Sequence, residues 1–514
     1  MNYSKHINPI RSVNEQLPGQ VKNDGGGYSF ALDKWKRYER FLILGSIGNT
    51  FYVSEQKLTV DNIKNFQDCL KENPEKFVDI LADVSINGRS NKTSPQILAL
   101  AYAFAGEGRK PAERIFNNVI RTGTHLFEFV EYSQQMGGWG RGMKRVVGNW
   151  YNSKTIQHLV YQVTKYQSRN GWSNRDLLRL SHPVPSTDEH KAIYKWITQN
   201  ELPDNPVIRA ISMLPNATER EVIQYIKTYQ LTREMIPTKF LSSPTVWTQL
   251  LETMPLHAMV RNLGAMTANE TLKPLNDATN LVCKRLRDQE YILKSRLHPL
   301  DIMNAQKVYR NGAGVRGSKT WNPIPQIISA LEDAFYLSFG NVTKTGKRFF
   351  YALDVSGSME MGTVGGTQLS PAECTAAMSL ALAKTEDNYH IVGFASHLVD
   401  LGITNRDTLR EATQKVYKSD FGSTNVSEAI EYAINNGLKV DCFVVMTDND
   451  INAGSQFTDL IREYRRRFNP KAKVVVIGMV SNGFTIADPN DAGMLDVVGF
   501  DTSVPRVLAD FVND

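Results

Sequence analysis

At 514 residues, with 41% apolar and 22% charged side chains, the chain is too long for one ordinary domain and too apolar for wholesale disorder. No run approaches the ~18 apolar residues of a membrane helix, and the start Met1-Asn2-Tyr3-Ser4-Lys5 lacks the apolar stretch of a secretory leader, so a cytoplasmic protein is expected. The formal net charge of +6 hides two opposed halves: 16 basic against 22 acidic residues from Lys344 onward, and 43 against 31 before it, which points to a polyanionic partner for the first part only.

Residues 1–30 are polar and include Asn23-Asp24-Gly25-Gly26-Gly27, which predicts a partly ordered arm. Residues 31–343 read as helix after helix without intervening strands, as in Ser94-Pro95-Gln96-Ile97-Leu98-Ala99-Leu100, Glu219-Arg220-Glu221-Val222-Ile223 and Ser243-Pro244-Thr245-Val246-Trp247. Some 300 residues of short amphipathic helices do not make one bundle; stacked helical pairs, each burying its face on the next, are the economical solution. From 344 to 514 the pattern alternates strand and helix. The apolar runs Phe349–Leu353, Tyr389–Phe394, Cys442–Met446 and Lys473–Met479 predict a doubly wound parallel sheet, with ligand sites at the carboxyl ends of the strands.

Three such ends carry oxygen ligands. Asp354, Ser356 and Ser358 follow the first strand, Thr424 precedes a helix after Gly422-Ser423, and Asp448 follows the third strand in Met446-Thr447-Asp448-Asn449. Two carboxylates and three hydroxyls suit a small hard cation such as Mg2+, which takes octahedral oxygen at ~2.1 Å and keeps several waters. A helix cap would account for Asp354 and Ser356 but not for three separate elements. A phosphotransferase using Asp354 as nucleophile would want a second aspartate where Ser356 stands. Cys69, Cys283, Cys374 and Cys442 stand singly and the nine histidines show no HExxH pair, so neither a disulfide framework nor a zinc hydrolase is indicated.

The densest basic and aromatic stretch runs from Gly138-Trp139-Gly140-Arg141-Gly142-Met143-Lys144-Arg145 through Trp150-Tyr151 to Lys165-Tyr166-Gln167-Ser168-Arg169-Asn170-Gly171-Trp172-Ser173 and Arg179-Leu180-Ser181-His182-Pro183. Cations that neutralise phosphate beside rings that stack on bases suit RNA. Trp139, Trp150 and Trp172 read better as anchors between helices, Gly171 as a helix terminator and Ser173 as a cap. Lys165, Arg169 and His182 read equally well as a solvated face.

Asp354-x-Ser356-x-Ser358, Thr424 and Asp448, in that order, resemble the three-part adhesion-site signature of von Willebrand factor A domains; Ser423 stands where those domains usually carry a second glycine. The segment Lys165–His182, together with Tyr38-Glu39-Arg40-Phe41-Leu42, Thr50-Phe51-Tyr52, Met254-Pro255-Leu256, Arg261-Asn262-Leu263-Gly264 and Gly312-Ala313-Gly314-Val315-Arg316-Gly317, is similar to the Ro autoantigen family, which is named for its TROVE module. The resemblance implies an α + α/β protein: a HEAT-like helical-repeat ring closed by a Rossmann-like A domain. It implies Y or Y-like RNA on the outer surface at Lys165, Arg169 and His182, with Lys144 and Arg145 nearby, and 3′ ends of misfolded noncoding RNA in the central hole. It further implies a monomer and, in bacterial relatives, a tether to a 3′ exoribonuclease such as polynucleotide phosphorylase.

The leading expectation is therefore a noncatalytic RNA-binding protein of RNA quality control. The competing one is a protein-interaction scaffold, similar to A-domain partners of AAA+ ATPases, in which the metal takes a partner's carboxylate and RNA plays no part. An RNA-processing enzyme lacks a recognisable catalytic cluster in the basic half.

Overall fold

The computed structural model describes residues 10–45, 55–315, 318–340, 344–364, 367–418 and 422–513. Thr50-Phe51-Tyr52 and the Arg316-Gly317 end of the glycine-rich motif lie outside them. Strands β1 (Gln20–Lys22) and β2 (Tyr28–Ala31) precede a succession of helices from Lys34–Leu44 to Pro325–Leu337. The helices stack on next-but-one neighbours as well as on immediate ones: Pro74–Ile86 packs on Arg109–Val119, Ser94–Ala105 on Gly123–Gln135, and Arg141–Asn152 on Asn174–Ser181. That is the packing of a helical-pair solenoid. Its boundaries are written locally, by proline in the first turn at Pro74, Pro95, Pro206, Pro244, Pro299 and Pro325 and by side-chain caps such as Asn73, Thr187 and Ser243. No described helix is long and apolar enough to cross a membrane.

The array is not purely helical. β3 (Ser168–Arg169) and β4 (Trp172–Ser173) form a two-residue hairpin. Asn170 and Gly171 at its tip have φ of 52° and 80°, the left-handed pair that a tight hairpin turn demands. Gly171 is thus a turn residue and not the expected helix terminator. Ser173 does cap the following helix, exchanging hydrogen bonds with Asp176.

The array comes back on itself. At Gly88 a Cβ would stand 3.1 Å from the Cβ of Arg296, so early and late helices touch. Both ends also grip the C-terminal domain, through Arg40 to Asp496 and Arg89 to Asp501 at one end and Lys307 to Glu373 at the other.

The C-terminal domain holds β5 (Arg348–Asp354), β6 (Asn388–Phe394), β7 (Leu398–Val399), β8 (Cys442–Thr447), β9 (Lys473–Gly478), β10 (Phe484–Thr485) and β11 (Met494–Val498). The main sheet runs β11-β9-β8-β5-β6-β7. It is parallel, as predicted, except for the edge strand β7, which pairs antiparallel with β6. Alternation along β5 sends Phe349, Tyr351 and Leu353 into a core continuous with the helical array, and Phe350 and Ala352 into a separate core under the helices Ser427–Asn435 and Phe457–Arg467.

The stretch expected to be a partly ordered arm is, from Ile10 onward, bound to this domain. β2 pairs with β10, Arg11 makes a two-pronged ion pair with Asp459 at 2.9 and 2.8 Å, and Asn23 Nδ2 donates to the Ile451 carbonyl at 2.8 Å. Its glycines are there for close approach: a Cβ on Gly27 would fall 2.1 Å from the Ile451 carbonyl oxygen, and one on Gly25 2.6 Å from that of Asp450.

Candidate metal centre and nucleic-acid interface

Of the five residues anticipated in the sequence, Asp354, Ser356, Ser358 and Asp448 form one cluster at the carboxyl ends of neighbouring strands, and Thr424 stands on a loop tied to Asn452, four residues past Asp448. Asp354 ends β5 and Asp448 follows β8, its parallel neighbour. Thr424 is brought up by the segment after the edge strand, where its N–H donates to Asn452 Oδ1 at 2.8 Å and its carbonyl accepts from Asn452 and Ala453. All five residues are buried, Asp354 and Thr424 completely. Asp354 accepts from Ser356 N–H at 3.1 Å, Ser356 Oγ at 2.6 Å and Thr447 Oγ1 at 2.6 Å, while Ser356 and Ser358 hydroxyls lie 3.0 Å apart.

Two observations say that these residues fit a divalent cation. The Thr424 hydroxyl is buried without a hydrogen-bond partner among the described residues, a costly state unless a ligand meets it. Burial and the facing Asp448 push the Asp354 carboxyl far above the usual carboxylate range; burial likewise raises Asp448, although Ser358 hydrogen-bonds to it. Apposed buried acids with hydroxyls around them are the donor set of a hard cation. Among the described residues there is no group of three or more His, Cys, Asp or Glu that could hold a metal, so a cation here would have to draw on the hydroxyls of Ser356, Ser358 and Thr424.

Two residues escaped the sequence reading. Asp450 is buried, one of its oxygens unpartnered, and the other accepts from Asp24 N–H at 3.2 Å. Asn452 fixes the Thr424 backbone. Both stand in the run Asp448-Asn449-Asp450-Ile451-Asn452, whose alternating polar residues were the available signal.

The five basic candidates are spread over neighbouring elements and do not meet in one cluster. Arg169 is exposed on the β3–β4 hairpin. His182, also exposed, caps the helix Asn174–Ser181 in the left-handed conformation at φ 46°. Lys144 is exposed, and Arg145 is exposed but paired with Glu113 at 2.5 Å, a surface bridge worth little. Lys165 differs from the rest: half-buried, it donates to the Tyr161 hydroxyl at 2.8 Å, lies 5.1 and 5.4 Å from the Tyr161 and Tyr166 rings, and lines a cavity of about 600 Å³. The tryptophans are anchors, as read from the sequence. Trp150 is fully buried with its indole N–H on the Ile120 carbonyl, and Trp139 and Trp172 lean together at 6.2 Å.

Comparison with known proteins accounts for both halves. Residues 348–512 match the model of the Ro60 vWA domain, and residues 21–205 and 226–311 that of the TROVE domain. The chain is 38% identical to the RNA-binding protein RO60 of Deinococcus radiodurans over 99% of each chain. It is 33% identical to the protein of the same name from Caenorhabditis elegans, over 98% of this chain and 91% of the relative. The crystal structure of Deinococcus radiodurans RO (RSR) protein superimposes with a TM-score of 0.69 at 37% identity, covering 93% of this chain and 99% of that one.

Proposed function

The chain belongs to the Ro60 family of TROVE and vWA domain proteins, and from that premise we propose that it is a noncatalytic binder of noncoding RNA acting in RNA quality control or processing. The observation that carries the reading is the end-to-end match, in one domain order, to two proteins named for RNA binding. Structured Y or Y-like RNA is assigned to the exposed basic surface at Lys144, Arg169 and His182. Arg145 is a lesser contributor because Glu113 shares its charge. Lys165 reaches RNA only at the mouth of its tyrosine-lined cavity. Single-stranded 3′ ends of misfolded RNA are assigned to the interior of the helical array.

Asp354, Ser356, Ser358, Thr424 and Asp448 would hold Mg2+ or a similar cation. With only two carboxylates around it the cation would stay electrophilic, able to take a partner's carboxylate at an open position. The chain's own part is to hold those oxygens dry at the strand ends; the bound Y-like RNA, and not the metal site, would tether an exoribonuclease such as polynucleotide phosphorylase in the cytoplasm, the protein itself working as a monomer.

The test is sequencing of RNA that co-purifies with the tagged protein, beside a Lys165→Ala, Arg169→Ala, His182→Ala triple variant. Recovery of one abundant structured small RNA, lost in the variant, is the expected result. Absence of enriched RNA from both would leave the metal-site scaffold as the better account.

A further inference from the structure

Two sequence motifs singled out above take no part in the function just described, yet residues of both, Arg261, Leu263 and Gly264 of the one and Gly314 and Val315 of the other, wall one cavity of about 390 Å³. Helix Leu256–Ala268 presents His257, Arg261 and Gly264 to it, and helix Pro299–Arg310 presents Asp301, Asn304 and Val308. In both helices the spacing of i, i+3 or i+4, and i+7 puts these side chains on one stripe. Trp321 closes a third side. Its indole N–H donates to the Tyr309 carbonyl at 2.8 Å, its ring stacks on Tyr309 at 6.0 Å, and it lies so close to Gly264 that a Cβ there would stand 2.6 Å from the ring. Only glycine lets the indole occupy that position, so the aromatic wall is built into the backbone.

The polar groups of the cavity are arranged around an empty centre. Asp301 feels the charge of Arg261, yet among the described residues neither its carboxylate nor the Arg261 guanidinium has a hydrogen-bond or ion-pair partner. Asn304 accepts from Gln368 N–H at 2.9 Å through Oδ1, which leaves its amide nitrogen as a donor one helical turn from Asp301. Lys319 lines the same cavity with its side chain exposed. Burial raises the Asp301 carboxyl to about 6, against the pull of Arg261, so at neutral pH it is ionised and accepts only.

We propose that this cavity binds one unpaired guanine nucleotide. Guanine alone among the RNA bases offers two adjacent N–H donors beside a carbonyl acceptor. The Asp301 carboxylate would take the two donors, Asn304 Nδ2 would donate to the carbonyl, Trp321 would flank the ring, and Arg261 with Lys319 would face the phosphate. Uracil would set a carbonyl against the carboxylate, and adenine and cytosine each offer only a single amino group. The proposal rests on the RNA-binding reading and names a subsite within it. The joint to the C-terminal domain is adjacent, since Asn304 and Lys307 contact Gln368 and Glu373.

The experiment uses the full chain and short labelled single strands, identical except for G, A, C or U at one position, with anisotropy read at one fixed salt concentration. The G strand is expected to bind roughly ten-fold tighter than the others. That preference should vanish in Asp301→Asn and in the cavity-filling Ala305→Leu, with binding of a structured small RNA kept as proof of folding. Competition by free GMP would assign the site to nucleotides in general; competition only by G-containing strands would assign it to RNA. Equal binding of all four strands, or a preference that survives Asp301→Asn, would overturn the pocket while leaving the RNA reading intact. Failure to bind structured RNA as well would overturn both.

Discussion

Arg40 is the side chain on which the joint between the two halves most depends. It leaves the first helix, Lys34–Leu44, with no exposed surface, and its Nη2 meets both Asp496 oxygens at 2.8 and 2.7 Å while Nη1 donates to the Phe484 carbonyl at 3.0 Å. Asp496 is itself 5% exposed, and the guanidinium lies over Gly478, where a Cβ would stand 2.7 Å away. Arg40→Met would strand a buried carboxylate on β11, a change that costs about 3–5 kcal/mol. In Arg40→Met/Asp496→Leu the stranded charge is gone and what remains is the loss of a donor to the Phe484 carbonyl and Asn482 Oδ1, at ~1–3 kcal/mol for each acceptor left unpaired. All seven tryptophans precede residue 322, so their emission in a urea titration follows the helical array, while circular dichroism follows both halves. The single variant should unfold at markedly lower urea in both signals and the double variant should recover most of the loss. A double variant no more stable than the single one would refute the claim that an uncompensated charge sets the cost.

The metal centre gives a pH-dependent effect with a definite sign. The folded carboxyl of Asp354 is raised, so without metal the protein gains stability at acid pH that is lost as pH rises through the raised value. A chelator should therefore lower Tm more at pH 8 than at pH 5.5, and added Mg2+ should restore it at pH 8; no Mg2+ effect at pH 8 would count against the site. Thr424→Val removes the unpartnered hydroxyl, so it should leave the metal-free protein as stable or more stable while shrinking the Mg2+ shift measured by thermal denaturation. Arg169→Glu should weaken structured RNA binding and flatten the slope of log affinity against log salt by roughly one; an unchanged slope removes Arg169 from the interface. Gly27→Val, whose side chain would run into the Ile451 carbonyl, should expose residues 10–31 to limited proteolysis, and an unaltered cleavage pattern would show that the segment is not held there.

What could be read from the sequence was what short-range pattern encodes. The strands β5, β6, β8 and β9 are largely apolar runs, and Asp354 and Asp448 stand at the ends of β5 and β8, so both were visible. β11 was not, because Met494-Leu495-Asp496-Val497-Val498 carries an acid in mid-strand. That acid makes sense only once Arg40, more than 450 positions away, is seen to neutralise it. The same holds for Asn23–Gly27, where three glycines read as slack and two of them, Gly25 and Gly27, turn out to be the only residues that fit against the Asp450 and Ile451 carbonyls. Lys165 differs: a charge count treats it as surface, and its sequence neighbours Tyr161 and Tyr166 draw it half-buried against a cavity. For β11 and for the N-terminal glycines the missing term is a contact between residues remote in sequence, which ties the helical array or the N-terminal segment to a neighbour that composition does not name. The metal centre shows the consequence. Its candidate ligands come from the C-terminal domain, but the Asp448–Ile451 loop is braced by Asn23, Asp24 and Ser29, so a cation held there would be coupled to docking of the N-terminus, and a substitution that frees the N-terminal segment would weaken its binding.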